Sequence, residues 1–135
     1  QMPSKNKKGA GVLIFRDFDN CKKVLILLNQ AGKFDIPKGH VDKFDVNIFA
    51  TAQRECYEET QIFITLSDLL TPSVYQDNNL TIFCASTLQD PSLERNPETG
   101  ILEHVKFYWL PTEIAAAILP KYLSQALLWG LKQVS

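Results

Sequence analysis

The sequence has little of the residues that usually mark a metal-thiolate or disulfide-stabilised protein. Only three of its 135 residues are cysteine, and two are histidine. Cys21, Cys56 and Cys84 lie far apart, and no cysteine or histidine pair has the spacing of a zinc site. An odd number of scattered cysteines does not make a disulfide framework and is typical of a reducing compartment. We therefore expect free thiols and a cytoplasmic location.

Long apolar runs and an excess of charge of one sign are also missing. No run reaches the ~20 residues that a membrane-spanning helix needs, and no signal-peptide pattern is present. The 14 basic and 15 acidic residues give a net charge of -1, which argues against broad non-specific binding to nucleic acid. Lys5, Lys7 and Lys8 lie near the N terminus, where we expect a solvated tail. The length and a 45% hydrophobic content predict a single globular domain over residues 1–135, with no membrane partner.

The chain contains short apolar runs, typical of strands, that are bounded by turn residues. Segments with a helical pattern lie between some of these runs and after the last one. Apolar residues recur at helical spacing after Asp45 and Asn47, either of which can cap a helix that ends near Thr60. We also predict helices at residues 111–118 and 121–134. We predict strands at residues 9–15 and 24–28 (a hairpin around turn residues 17–23), 62–66, 74–76, 80–85 and 105–110. This order predicts an α/β fold with a mixed sheet between helices.

Three carboxylates mark the predicted first helix as a candidate functional element. Glu55, Glu58 and Glu59 are spaced i, i+3 and i+4, so they share one helix face. Like charges this close repel one another, and a cluster of oxygen ligands suits Mg²⁺ or Mn²⁺ better than zinc. The alternative is a solvated acidic face without a ligand. The pattern favours a metal-dependent reaction on phosphates.

The segment from Gly39 to Ile62 resembles the Nudix hydrolase box. That box runs glycine, five residues, glutamate, seven residues and then Arg-Glu-aliphatic-x-Glu-Glu-x-Gly-aliphatic. The matching residues are Gly39, Arg54, Glu55, Glu58, Glu59 and Ile62. The resemblance covers most of the chain. It implies the Nudix α/β/α sandwich and a pyrophosphohydrolase that uses Mg²⁺ (or Mn²⁺).

The resemblance also implies roles for the matching residues. Glu55 and Glu59 would be direct metal ligands, Glu58 would bind metal or assist catalysis, and Gly39 would contribute its main-chain carbonyl. Arg54 belongs to the predicted catalytic group. We expect it to hold the box together through the carboxylate of Glu58 or Asp45; the alternative is that it contacts the substrate.

The box departs from the family pattern at three points. The upstream glutamate is replaced by Asp45, or by Asp42 if the loop is threaded differently, and the gap to Arg54 is one residue longer. We expect the extra residue to be absorbed between Asp45 and Asn47 or in the first helical turn, which leaves the carboxylate register unchanged. Gln61 replaces the closing glycine and carries a mild backbone penalty if that position needs a positive φ.

Two further segments resemble the asymmetric diadenosine tetraphosphate hydrolases within this family. Residues 34–41 (FDIPKGHV) are similar to their Trp-x-Pro-Pro-Lys-Gly-His-Val segment, and residues 102–110 are similar to their His-Glu-His segment before an aromatic strand. The resemblance marks Glu103 as a candidate general base, Lys38 and His104 as candidate phosphate contacts, and His40 as a substrate-binding residue. Tyr75, Phe83 and Phe107 are separate candidates for stacking on a base, because aromatic faces bind any nucleobase; they do not clearly match the stacking tyrosines of that subgroup. For each of these residues the alternative is a purely structural role, either on the surface or in the core.

These patterns favour a small-molecule nucleotide as the partner, with diadenosine tetraphosphate cleaved to ATP and AMP. The alternative substrates are an RNA 5′ end, which is the only nucleic acid we consider, and a diphosphoinositol polyphosphate. A further alternative is that the protein is a degenerate Nudix module that binds a ligand without catalysis. The sequence carries no signal for the oligomeric state.

Overall fold

The computed structural model describes residues 7–134; Lys5 lies outside this range. The described residues form one mixed sheet, three α-helices and a 3₁₀ turn at Leu66–Asp68. The strands are β1 (Gly9–Phe18), β2 (Cys21–Asn29), β3 (Phe34–Asp35), β4 (Lys38–His40), β5 (Tyr75–Asp77), β6 (Leu80–Ser86) and β7 (His104–Pro111). The helices are α1 (Ile48–Thr60), α2 (Thr112–Ile118) and α3 (Lys121–Val134).

The sheet is mixed because β1 pairs in parallel with β6 and antiparallel with its other partners. The strand order is β3-β2-β1-β6-β5, with β4 beside β1 and β7 beside β2. The first residues of β1 pair with β4, and its last residues pair with β2. A Cβ on Gly11 would lie 2.6 Å from the Cβ of Lys38, so only glycine lets β4 approach here. This close pairing fixes the position of the Lys38-Gly39-His40 segment.

Helices cover both faces of the sheet. On one face, Ala52 and Cys56 of α1 pack on a buried layer that β1, β2 and β6 supply. On the other face, Leu123 and Leu127 of α3, together with α2, pack on the opposite side chains of the same strands. The α/β/α sandwich with a mixed sheet is therefore confirmed. None of the helices in residues 7–134 is long and apolar enough to cross a membrane.

The first hairpin is tighter than predicted. Its turn is only Asp19-Asn20, and both residues have positive φ angles, 49° and 67°. Two such residues match the twist of the flanking strands, so the ladder extends until Phe18 pairs with Cys21. The prediction of a turn over residues 17–23 was wrong at its ends because Asp17, Lys22 and Lys23 belong to the ends of the paired strands, where side chains are half-buried or exposed.

The predicted strand at residues 62–66 was also wrong. Ile62 and Ile64 are fully buried and alternate with exposed neighbours, as in a strand, but no ladder forms. Side-chain amides take the place of a neighbouring strand. Gln89 donates from Nε2 to the Phe63 carbonyl (2.9 Å) and accepts the Phe63 N–H at Oε1 (3.0 Å), and Gln53 donates to the Ile64 carbonyl (2.7 Å). Alternating burial alone therefore did not distinguish this segment from a strand.

Candidate metal and phosphate site

Helix α1 carries the carboxylates, and its start fixes their register. The Asn47 side chain caps the helix by accepting the Ala50 N–H at 2.8 Å. The helix then runs without interruption to Thr60, so the extra residue of the box lies before Ile48, as predicted. The preceding turn closes on itself, because the Asp45 N–H donates to the Asp42 carbonyl at 3.0 Å.

Gln61 ends α1 in the left-handed conformation. Its φ is 63°, and its N–H donates to the Tyr57 carbonyl at 2.8 Å. The side chain donates to the same carbonyl at 3.2 Å. The cap therefore forms without a glycine at this position. Because Gln61 has a Cβ, its left-handed backbone conformation carries an energy cost.

Arg54 is the centre of the ion-pair network. Its Nε and one terminal nitrogen both donate to Asp45, at 3.0 Å each, and that nitrogen also donates to the His40 carbonyl at 2.8 Å. The other terminal nitrogen donates to Glu55 (3.1 Å) and Glu58 (3.2 Å). Arg54 thus joins the loop, β4 and the acidic helix face through directional bonds.

Asp45 takes the bracing position that the family gives to glutamate. Its side chain is 6% exposed and also accepts from the Thr51 hydroxyl at 2.8 Å and the Asp42 N–H at 2.9 Å. The bidentate bond from Arg54 is the main reason that the pKa of the Asp45 carboxyl lies well below its usual range. The shorter side chain still reaches Arg54, because the loop folds towards the helix.

Glu55 and Glu59 point from α1 towards β4. A Cβ on Gly39 would overlap the Glu55 carboxylate, so this carboxylate lies directly against the Gly39 backbone. Burial, followed by the charge of Glu58, raises the pKa of Glu55 to about 7. The Glu59 side chain is 6% exposed, and burial followed by the nearby Glu103 raises its pKa well above the usual range. Both carboxylates are therefore costly to ionise without a cation beside them.

These carboxylates form part of the floor of a cleft of about 610 Å³. The cleft brings together Lys38, Gly39, His40 and Glu103, as the subgroup resemblance implies. Other lining residues were missed by the sequence reasoning, and they come from three separate segments. They are Lys7, Gly9, Asp77, Asn78, Asn79, Leu80 and Tyr122. Lys7 is therefore part of the cleft rather than of a solvated tail.

Lys38 is paired with Asp35, a residue that the sequence reasoning also missed. Its Nζ lies 3.3 Å from Asp35 Oδ1, and both side chains are largely buried. Burial alone would lower the pKa of Lys38, but its interactions with Asp35, Tyr122 and Glu59 together outweigh burial and raise that pKa. Lys38 is therefore a fixed positive charge at the cleft. The i, i+3 spacing of Asp35 and Lys38 was the only local signal of this pair.

His104 was expected to contact phosphate, and it is not among the residues that line this cleft. Its side chain is 3% exposed and lies between two carboxylates, with Nε2 3.6 Å from Asp35 Oδ2 and Nδ1 3.8 Å from Glu59 Oε1. It lines a neighbouring cavity of about 230 Å³ that shares Glu59 and Glu103 with the cleft. Ligand atoms of Glu59, Glu103 and His104 all lie within 4.8 Å of one another.

The three aromatic residues expected to stack on a base are not among the cleft-lining residues. Phe83 is 8% exposed and packs edge-to-face on Phe49, with ring centroids 5.3 Å apart, so it belongs to the core. Tyr75 packs on Trp129 at 5.7 Å. Phe107 lies on β7 opposite Leu27. Tyr122, at the start of α3, is the aromatic side chain at the cleft, and nothing in its local sequence distinguishes it.

The donor set at this site fits a divalent cation. It combines the Glu55 and Glu59 carboxylates with the backbone of Gly39, and hard cations such as Mg²⁺ and Mn²⁺ prefer such oxygen donors. Glu58 lies on the outer side of the helix, where it contacts Arg54 and lines the smaller cavity. The fit rests on geometry: the Glu55 carboxylate lies against the Gly39 backbone, and Glu59 Oε1 accepts the N–H of the neighbouring Lys38 at 3.3 Å.

Comparison with solved structures shows the same fold in proteins with different ligands. A C. elegans Ap4A hydrolase binary complex is 22% identical, with a TM-score of 0.65, covering 90% of this chain and 93% of that chain. E. coli dihydroneopterin triphosphate pyrophosphohydrolase is 19% identical, with a TM-score of 0.64 and coverage of 90% and 93%. The NUDIX domain of Shewanella oneidensis NrtR, complexed with ADP ribose, is 16% identical, with a TM-score of 0.66 and coverage of 96% and 89%. At these identities the likeness establishes the fold alone.

Sequence comparison places the chain in a family. No curated protein sequence matches it. Residues 5–127, however, match the NUDIX domain family, and this range includes the box, the cleft and both faces of the sheet. The chain therefore belongs to the Nudix family and is an enzyme of its pyrophosphohydrolase class.

Proposed function

We propose that this protein hydrolyses a phosphoanhydride bond of a nucleoside polyphosphate, and that its preferred substrate is diadenosine tetraphosphate, cleaved to ATP and AMP. The observation that carries the proposal is the convergence of Glu55, Glu59, Glu103 and Lys38 on one cleft. Carboxylates for a cation, a base candidate and a fixed positive charge are the groups that attack by water on a polyphosphate requires.

Each residue has a role that its surroundings support. Lys38 and His40 bind the phosphate chain, and Glu103 accepts a proton as a water oxygen bonds to phosphorus and the anhydride P–O bond breaks. Glu55, Glu59 and the Gly39 carbonyl, with help from Glu58, hold Mg²⁺ or Mn²⁺, which supplies charge neutralisation and a more acidic water. Arg54 acts as a positioning residue because its bonds run to the box and to the His40 carbonyl.

Two features of the cleft support a nucleotide over an inositol pyrophosphate. The lining carries Lys7 and Lys38 but also several carboxylates, so it lacks the strongly basic character that a densely phosphorylated ring needs. Tyr122 is 41% exposed and offers an aromatic face on which a base can stack.

The free thiols of all three cysteines support a cytoplasmic location.

A Mg²⁺-dependent hydrolysis panel tests the proposal. Purified protein is incubated with diadenosine tetraphosphate, nucleoside triphosphates, capped RNA and an inositol pyrophosphate, and products are identified by chromatography. We expect ATP and AMP from the dinucleotide at the highest kcat/KM. Efficient cleavage of the RNA or inositol substrate without dinucleotide cleavage would contradict the substrate, and no hydrolysis by folded protein would favour a binding module.

The Glu59→Gln variant tests whether the proposed metal ligands are needed for activity. We expect turnover to fall by about two or more orders of magnitude, the scale for loss of a metal-ligating charge. Glu113→Gln is the control, because Glu113 is an exposed carboxylate on α2 and does not line the cleft. Near-full activity of Glu59→Gln at low Mg²⁺ would contradict the site.

A further inference from the structure

The buried ring of His104 has one nitrogen without a hydrogen-bond partner. Nδ1 is buried and unpaired among the residues that the structure describes, although the ring is held firmly at the start of β7. Its nearest carboxylate oxygen is Glu59 Oε1 at 3.8 Å, too far for a hydrogen bond. A buried polar atom without a partner is costly, so this nitrogen needs an explanation.

The other ring nitrogen indicates what Nδ1 presents to the cavity. Nε2 lies 3.6 Å from Asp35 Oδ2, and Asp35 is itself held by Lys38. A proton on Nε2, facing this carboxylate, leaves a lone pair on Nδ1. A histidine that binds metal through one nitrogen usually donates from the other to a carboxylate, which fixes the ring and its tautomer. Asp35 lies on the Nε2 side of the His104 ring, at 3.6 Å, which is beyond hydrogen-bond distance but on the side that this pattern requires.

Nδ1 lies on the side of the ring that faces the Glu59 carboxylate, 3.8 Å away. Glu59 and Glu103 each bring an oxygen into a group whose ligand atoms all lie within 4.8 Å of one another, and a cavity of about 230 Å³ adjoins them. Three electron-rich atoms around one point repel one another unless a cation lies between them. We propose that Glu59, Glu103 and His104 Nδ1 bind a divalent transition metal, at a position next to that of Glu55 and Gly39.

This site differs chemically from the oxygen-only position. An imidazole ligand suits transition metals such as Fe²⁺, Ni²⁺ and Zn²⁺ better than Mg²⁺, whereas carboxylates and carbonyls suit Mg²⁺, and Mn²⁺ accepts both donor types. Glu59 is shared by the two positions, so the inference rests on the proposed function. It goes further by assigning His104 a metal-binding role and the protein a preference among metals.

The direct test is pulsed electron paramagnetic resonance of bound Mn²⁺, without a histidine tag. Direct coordination by imidazole gives a ¹⁴N coupling to the electron spin. The chain has only two histidines, so His40→Gln leaves His104 as the sole source of an imidazole signal. We expect the coupling in wild type and in His40→Gln, and its loss in His104→Gln. We also expect His104→Gln to weaken Mn²⁺ binding by about 10–100-fold and Mg²⁺ binding far less.

A second experiment keeps the test valid if His104→Gln does not fold. His40→Gln labelled with ¹⁵N-histidine replaces the ¹⁴N coupling with a ¹⁵N coupling if His104 binds Mn²⁺. Bound Mn²⁺ without any nitrogen coupling, or a coupling that survives in folded His104→Gln, would overturn the inference. Both outcomes are independent of hydrolysis, so absence of hydrolysis with the coupling present would overturn the proposed function alone.

Discussion

At the residue scale, the site balances like charges that would otherwise repel one another. Glu55, Glu58 and Glu59 share one face of α1, and a terminal nitrogen of Arg54 lies between the first two, at 3.1 and 3.2 Å. Arg54 offsets part of the repulsion on the outer side of the helix. The carboxylates of Glu55 and Glu59 face the cleft, where a cation would offset the rest.

Exchanging single charges in the cleft should separate binding from chemistry. Glu103→Gln removes the proposed base and should lower kcat by about 10²–10⁴-fold with little effect on stability, because Glu103 is exposed.

Lys38→Met removes a phosphate contact and should mainly lower kcat/KM, by about 10–100-fold. Steady-state kinetics on diadenosine tetraphosphate measure both. Equal loss of kcat in both variants would argue against separate roles.

Asp45→Asn should change how stability depends on pH. The folded pKa of Asp45 lies below the ordinary value of 3.8, so its contribution is fully present above about pH 4 and is lost as pH falls below that value. The variant should be less stable by about 2–3 kcal/mol at pH 7, the scale of lost charged hydrogen bonds. Urea unfolding from pH 7 to pH 3 measures the difference. If the difference in unfolding free energy between wild type and variant stayed constant down to pH 3, the lowered pKa of Asp45 would be contradicted.

At the element scale, α1 serves packing and chemistry with adjacent faces. Ala52 and Cys56 are fully buried against the sheet, while the carboxylates point to the cleft and to Arg54. A shift of one residue would rotate the side chains by about 100° and bury the wrong set. The Asn47 cap and the closed turn before it therefore determine the geometry of the site.

Gln61→Gly should stabilise the protein without changing the site. Glycine takes the φ of 63° without a Cβ penalty, and the cap bond to the Tyr57 carbonyl comes from the backbone. We expect a gain of about 0.5–1 kcal/mol in the free energy of unfolding, with kcat unchanged. Thermal or urea unfolding measures it. Gln61→Ala keeps the Cβ but loses the weak side-chain bond, so it is the control and should not gain stability.

At the scale of the whole molecule, the sheet and its helices bring distant segments to one cleft. The start of β1, the β4 segment, α1, the β5–β6 turn, the residue before β7 and the start of α3 all line it. A cation that binds Glu55 and Glu59 only when these segments are folded must stabilise the whole fold by mass action.

Adding Mg²⁺ to metal-free protein should therefore raise its Tm. At a free concentration of about 100 Kd the gain is about 2.7 kcal/mol, or roughly 10 °C for a chain of this size. Glu59→Gln should show a smaller rise, and its metal-free Tm should exceed that of wild type, because a buried carboxylate has been neutralised. Differential scanning calorimetry with EDTA and with Mg²⁺ measures both. An equal rise in wild type and Glu59→Gln would argue against Glu59 as a ligand.

The sequence alone predicted features that depend on neighbouring residues. The shared face of Glu55, Glu58 and Glu59 follows from helical geometry. The ends of α1 were predicted at Asp45 or Asn47 and near Thr60, and the structure shows that Asn47 is the cap. The hairpins follow from turn residues between apolar runs. The layered order of helices and sheet follows from which runs are apolar and from the resemblance of the box.

Only the tertiary structure decided which side chains meet across the chain. Phe83 and Tyr122 are both aromatic residues near apolar segments, yet packing buries the first and leaves the second at the cleft. His104 looked like a surface ligand, but β7 places it between Asp35 and Glu59. Residues 62–66 have a strand pattern without a strand partner. Burial and pairing depend on contacts between residues far apart in sequence, and a local pattern does not specify them.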